Sequence, residues 1–398
     1  MNRIIYDFDQ IIDRHGTYSM KWDCGEMVKN MGLCSRFDKD TIAVFTADMD
    51  FQTPQPVLDA LHAMIDKHKM FGYTGTMGTP EYNEAIIGWF DRKHNWKIEP
   101  EHINYVSGTV EALRVAVEAY SEPGDGVLIT RPVYGPFTGA VEGSGRKVVN
   151  SQLINNDGYY TMDFADIEEK AKDPSVKMFI LCSPHNPTGR VWTAEELKTL
   201  SDICVRNNVV LVADEVHCDI LRKGVTFVPA GVVCAPENTV VLNAINKTFN
   251  LAGLHCSHAI IADENLRKKY QDALGMAMPS PFAVAALMAA YNEGEDWLNQ
   301  VLDYIDGTID WCLDFLKKEM PKVKCRRPEG TYVLWMDFSA YGMPEEEVRK
   351  RIYDQANVIL EPGSMFDPVE GVNFQRICTP SPRPLMQEAF RRIAEQFR

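Results

Sequence analysis

Four stretches decide the fold: VKMFILCSP (176–184), TAEELKTLSDICVRNN (193–208), VVLVADE (209–215) and TVVLNAINK (239–247). The first, third and fourth are short apolar runs rich in β-branched residues, which read as buried strands. The second opens with a Thr-x-x-Glu signature and carries apolar residues at helical spacing, so it reads as a capped amphipathic helix. Strands alternating with helical stretches are βαβ grammar and imply a largely parallel sheet covered by helices on both faces. Each strand ends in polar residues: Ser183 to Gly189, Asp214 to His217, and Asn243 to Lys247. Ligands of open α/β sheets bind outside the carboxyl ends of the strands, so three successive polar ends point at one crevice.

Working outward, HINYV (102–106) reads as a further strand and EALRVAVEAY (111–120) as the helix that follows it. From Phe282 to Met320 the pattern is helical, with Gly294 and Gly307 as expected breaks. GTYVLWMDF (330–338) reads as a strand and Arg383 to Phe397 as a closing helix. The expected domain boundary lies near 284, with the N-terminal arm folding back onto the C-terminal part.

The chain has 398 residues and is 45% apolar and 24% charged, the composition of an ordinary globular protein long enough for two domains. Its net charge of -15 and the isolation of its basic clusters argue against nucleic acid as a partner. The N-terminus lacks the apolar core of a signal peptide. The longest apolar run, Phe282 to Tyr291, is about half of what a membrane helix needs, so the expected location is the cytoplasm. Ten cysteines are scattered with no C-x-x-C, and Cys182, Cys204 and Cys312 lie in apolar segments, as reduced packing residues do.

Lys247 follows a strand, where desolvation lowers an amine's pKa and prepares it to form an imine with a carbonyl. Alone, it reads more simply as a surface lysine. Asp214 ends the most apolar strand; it is equally a helix cap or a carboxylate that holds a proton on a heteroaromatic nitrogen. DEVHCD gathers Asp214, Glu215, His217 and Asp219, but the spacing matches no standard metal-ligand pattern, and no metal is expected. Asn186 lies in an N-P-T-G turn at the end of the first strand. Ser107, Gly108, Thr109 and Val110 open a helix whose N-terminal amides suit a phosphate. Gly72, Gly75 and Gly78 do not form G-x-G-x-x-G, which weakens a dinucleotide reading. Imine lysine, pyridinium partner, ring-oxygen donor and phosphate cradle together are the inventory that pyridoxal phosphate requires.

At these residues the chain resembles the fold-type I pyridoxal-phosphate enzymes of the aminotransferase class I/II family. It is most similar to the MalY/PatB branch of bacterial cystathionine β-lyases, or carbon-sulfur lyases. FDQIIDRHGTYSMKWD, TADMDFQTPQPV, FGYTG, RPVYGPF, SPHNPTGRVW, ADEVHCDI, NKTFNLAGL, PEGTYVLWMDF and RICTPSPR stand in the branch's order. The resemblance implies a three-layer αβα large domain with a mostly parallel sheet over 48–284. A smaller α+β domain would be formed by 1–47, the N-terminal arm, and 285–398. It implies that Lys247 is the Schiff-base lysine and acid/base, Asp214 the pyridine-nitrogen partner and Asn186 a donor to the ring 3-oxygen. Tyr134 would stack on the ring, and His217 stands where relatives carry a tyrosine facing the ring oxygen. Gly108, Thr109 and Val110 would hold phosphate, and Tyr73 would reach the phosphate of a partner subunit, making a homodimer with shared sites. Arg376 and Asp50 would bind the amino-acid substrate, Arg376 through its carboxylate.

The chain departs from the branch near the lysine, with Ala244 and Asn246 where serines are usual. His255 stands where aspartate aminotransferase relatives place a phosphate-binding arginine. The expected reaction is β-elimination from L-cystathionine or a related cysteine thioether. An aminotransferase needs the same residues and is the alternative; a cofactor-binding regulatory protein and a dehydrogenase are the further ones.

Overall fold

The computed structural model describes residues 3–69, 71–74 and 79–398; Gly75 and Gly78 lie outside them. Seven strands form the central sheet: β1 Ile103–Val106, β2 Gly126–Ile129, β3 Lys147–Asn150, β4 Val176–Cys182, β5 Val210–Asp214, β6 Thr239–Ala244 and β7 Ser257–Ile260. Their order is β1-β7-β6-β5-β4-β2-β3. β7 pairs antiparallel with both β1 and β6, and every other pairing is parallel.

The strands read as continuous apolar runs because both faces of the sheet are buried. Phe179, Leu181, Leu211, Ala213 and Val241 point into one core, and Met178, Ile180, Cys182, Val212, Val240 and Leu242 into the other. Six helices matter for the site: α1 Pro80–His94, α2 Thr109–Tyr120, α3 Ala194–Arg206, α4 Pro281–Glu293, α5 Glu295–Glu319 and α6 Arg383–Glu395. α3 covers the first face with Leu197, Leu200 and Ile203, and α2 covers the second with Ala112, Leu113 and Ala116. The start of α3 is fixed reciprocally, since Glu196 N donates to Thr193 Oγ1 at 3.1 Å and Thr193 N to Glu196 Oε2 at 2.8 Å.

A second, antiparallel sheet contains β8 Lys324–Cys325, β9 Val333–Asp337, β10 Glu361–Pro362 and β11 Phe374–Cys378, in the order β8-β9-β11-β10. α5 and α6 pack together beside it. The N-terminal segment returns to this part of the molecule, where Ile42–Ala43 pairs in parallel with Val358–Ile359.

Residue 284, the expected boundary, lies inside α4, which packs on α1 and on the Gln55–Ala63 helix. One expectation is corrected. Gly307 does not break a helix but lies within α5. There a Cβ would come within 3.0 Å of the Arg383 guanidinium, so the glycine serves a close approach and tertiary packing overrides its propensity.

Candidate active site

The carboxyl ends of β4, β5 and β6 open onto a cavity of about 410 Å³ lined by Tyr134, Asn186, Asp214, His217, Asn246 and Lys247. Ser107, Gly108, Thr109 and Val110, at the N-terminus of α2, close one end. The residues expected from three separate strand ends and one helix start therefore share a single space, as the sheet topology requires.

Lys247 lies in the short turn after β6, and its Nζ donates to the Ala47 carbonyl at 2.7 Å. Burial pulls its amine below the usual lysine range, with the Arg376 cation acting in the same direction. The Ala47 carbonyl also accepts from Tyr332 Oη at 3.0 Å. It follows Thr46, which is left-handed with φ 55°, a costly state for a β-branched residue and one that accumulates at functional sites.

Asp214 is buried, and the hydrogen bond it accepts is a long one, 3.2 Å, from the Val216 amide. Desolvation pushes its carboxyl up to about 7. Such a group lacks a cationic N–H partner, which is what a protonated pyridine nitrogen would supply. Burial drives the His217 imidazole well below its ordinary range, so the ring is neutral; its Nδ1 is buried without a partner and the ring meets Tyr332 edge-on. Burial likewise raises the Tyr134 phenol, keeping it un-ionised against Phe137.

Asn186 and Arg376 meet directly: Arg376 Nη1 donates to Asn186 Oδ1 at 2.9 Å. Asn186 thus joins the cavity to the guanidinium, leaving its own amide N–H groups to donate elsewhere. At the opposite end, a Cβ added to Gly108 would meet only open space, and Thr109 Oγ1 lies 3.5 Å from Ser257 Oγ. Asn246 Oδ1 is buried with no partner, and His255 lines the same end. Backbone amides and hydroxyls at the N-terminus of α2 fit the anionic end of a ring-bearing cofactor such as pyridoxal phosphate, and Asp214 with Lys247 fits its other end.

Two expected residues stand apart. Asp50 is buried outside the cavity lining, and both its oxygens are taken. Arg14 and Trp22 donate to Oδ1 at 2.8 and 2.9 Å, and Lys21 and Ser381 to Oδ2 at 2.5 and 2.6 Å. Asp50 thus ties the N-terminal arm to Ser381. Tyr73 is 97% exposed in the single chain, away from the chain's own cavity.

Sequence reasoning missed two contributors. The Ala47 carbonyl is one. The other is the brace behind the lysine, where Asp219 accepts from Trp89 Nε1, from Thr248 Oγ1 at 2.9 Å and from His94 Nε2 at 2.8 Å. Thr248 follows Lys247, so this buried network holds the lysine's turn against α1. The adjacency of Thr248 to the lysine, with Asp219 in DEVHCD, was the available signal.

The class of protein follows from this combination of sheet, strand-end lysine and aspartate, and helix-end cradle: the chain belongs to the aminotransferase class I and II family, which residues 41–393 match. Its architecture is that of fold-type I. Within the family it is 40% identical over 395 residues to the cystathionine beta-lyase PatB of Bacillus subtilis, covering 97% of this chain and 98% of the relative. It is 30% identical to the protein MalY of Escherichia coli, covering 96% and 97%. Among solved structures, cystalysin from Treponema denticola, which contains pyridoxal 5'-phosphate, superposes with a TM-score of 0.93 at 32% identity over 99% of both chains. The PLP-bound C-S lyase of Staphylococcus hominis, complexed with L-cycloserine, does so at 0.92 with 35% identity over 99% of both chains.

Proposed function

We propose that the chain is a pyridoxal-phosphate-dependent carbon-sulfur β-lyase that cleaves L-cystathionine or a related cysteine thioether to pyruvate, ammonia and a thiol. The observation that carries this reading is the convergence of Lys247, Asp214 and Asn186 on one cavity, with Arg376 bonded to Asn186. When bound, the cofactor supplies an electron sink for the carbon that loses its proton. Lys247 would anchor the cofactor and accept the Cα proton of the substrate, and burial, by lowering its pKa, leaves more of the amine unprotonated near neutral pH. Asp214 would hold the proton on the pyridine nitrogen, and Asn186 would donate to the ring oxygen. Tyr134 would cover the ring, and the α2 amides from Gly108 to Val110 would receive the phosphate. Arg376 grips the α-carboxylate. The Cβ–S bond then breaks, sulfur leaves as a thiolate that is protonated, and water completes the release of pyruvate and ammonia. Elimination is preferred over transamination because the similarity to PatB, cystalysin and the C-S lyase extends over nearly the whole chain.

Incubation with L-cystathionine and no keto acid is expected to yield pyruvate, ammonia and homocysteine in equal amounts. Strict dependence on an added keto acid, with the amino group recovered on it and no free thiol, identifies an aminotransferase instead.

The proposal includes a homodimer with shared sites. Tyr73 is exposed in the single chain and would reach the partner's phosphate. Mixing inactive Tyr73→Ala and Lys247→Ala chains is then expected to restore part of the activity, since one site of the mixed dimer escapes both changes. A mixture as inactive as its components refutes the sharing. The large unit would span 48–284 and, by the path of α4, continue to Gly294, with 1–47 and the C-terminal remainder forming the small one. All ten cysteines are unpaired, as befits the reducing cytoplasm, and among the described residues no helix is long and apolar enough to cross a membrane.

A further inference from the structure

Arg376 is buried to 1% exposure on β11, and its guanidinium is engaged from two sides before any substrate arrives. Nη1 donates to Asn186 Oδ1, and Nη2 donates to Glu361 Oε2. Glu361 lies on β10, directly opposite Arg376 in the antiparallel register with β11, so the pairing of two strands sets this contact rather than a chance rotamer. The Phe366 ring covers the guanidinium, with 4.7 Å from its carbon to the ring centroid. Nε is buried with no partner at all. The arginine therefore has a built-in counter-ion on one nitrogen and an unused N–H on another.

We propose that Glu361 determines how strongly the substrate site binds carboxylates, acting as a resident counter-ion that competes with the incoming α-carboxylate for Arg376. The proposal rests on the role assigned to Arg376 above. A buried cation without a partner would gain the full attraction of a docking carboxylate, whereas one already neutralised gains only the difference. After docking, one guanidinium serves two carboxylates at short range in a dry site, and they repel each other. The other groups around the pair do little to offset this, because the Asn186 amide and Phe366 are uncharged, burial keeps the Tyr134 phenol un-ionised, and burial pulls the nearby Lys247 amine toward its neutral form. Glu361 also solves a structural problem, since a lone buried guanidinium would cost the empty enzyme stability. The pair thus exchanges affinity for a stable, preset arginine: the fork is held ready by Glu361 and Asn186, and substrate binding is kept moderate so that product leaves.

Glu361→Gln tests this, because glutamine is nearly isosteric, still accepts from Nη2 and carries no charge. The probes are 3-(methylthio)propionate, a thioether carboxylate without an amine, and its carboxamide, each titrated into the cofactor-loaded enzyme by calorimetry. Binding is read directly, so the result does not depend on which reaction the enzyme performs. In Glu361→Gln the carboxylate is expected to bind about five- to tenfold more tightly while the carboxamide moves by less than about twofold. Glu361→Asp, which keeps the charge, is expected to leave the ratio of the two affinities within about twofold of wild type. An equal change for both probes in the glutamine variant overturns the proposal in favour of a packing role. A weaker carboxylate with an unchanged carboxamide overturns it in favour of a residue that merely holds Arg376 in place. Arg376→Lys is the control: if it leaves the ratio unmoved, the carboxylate docks elsewhere and the assignment of Arg376 falls first.

Discussion

Replacement of Lys247 by alanine is expected to lower pyruvate release from L-cystathionine by about 10²- to 10⁴-fold, the span that a positioned acid/base supplies. The size of the effect follows from what the residue does and from the lack of a substitute. Its amine sits at the end of β6 with Nζ on the Ala47 carbonyl, and it lines the cavity that Asp214 and Asn186 share. His217, the nearby imidazole, is driven far below its ordinary range by burial and is a poor proton acceptor. Alanine leaves the α2 cradle, Asp214 and the Arg376–Asn186 pair in place, so the variant is expected still to bind cofactor without a covalent link, visible as bound absorbance that borohydride does not fix. In the parent protein, borohydride followed by peptide mapping is expected to place the pyridoxyl label on Lys247. A label on another lysine, or a variant that keeps more than about a tenth of its turnover, defeats the assignment.

Asp214→Asn is expected to lower turnover by roughly 10²- to 10³-fold, the scale of losing one preorganised electrostatic partner. An amide cannot offer the negative charge that keeps a proton on the pyridine nitrogen, so the electron sink is weakened while the shape of the cavity is retained. The same residue carries a pH signature in the cofactor-free chain. Desolvation raises the Asp214 carboxyl to about 7, above its ordinary 3.8. The folded state therefore holds a proton that the unfolded state has lost between about pH 4 and 7, and stability declines as pH rises through that window. Glu215, raised by burial to about 8, extends the decline in the same direction. Thermal melts of the cofactor-free protein from pH 5 to 8 are expected to show a steeper fall for the parent than for Asp214→Asn. Equal slopes would mean that Asp214 is ionised in the empty cavity.

Asn186, Asp214 and Lys247 are legible in the sequence for one physical reason: each stands where an apolar run stops, and a parallel sheet brings the ends of its strands together. The phosphate end was legible as small residues opening α2. The Ala47 carbonyl was not, because any residue supplies a carbonyl and this one comes from 200 positions away. Glu361 was equally hidden, since its importance lies in the β10–β11 register and not in any local pattern. SHAI, the core of β7, is short and half polar, and its reversed insertion between β1 and β6 is decided by tertiary pairing. The partners of Asp50, in TADMDF, were hidden as well, because the donors on its carboxylate come from the arm and from Ser381. The preference for elimination came from the family resemblance, because lyase and aminotransferase require the same catalytic groups.

The bond between Asn186 and Arg376 joins residues 190 positions apart. Loop-closure entropy opposes a contact of that span more than it opposes the local connections that build the β4–β5–β6 crevice. On a ribosome, where the chain emerges from its N-terminus, Asp214 and Lys247 are available well before Arg376 is made. The cofactor end of the site is thus encoded ahead of Arg376, and the substrate end is completed only by the final strand of the chain.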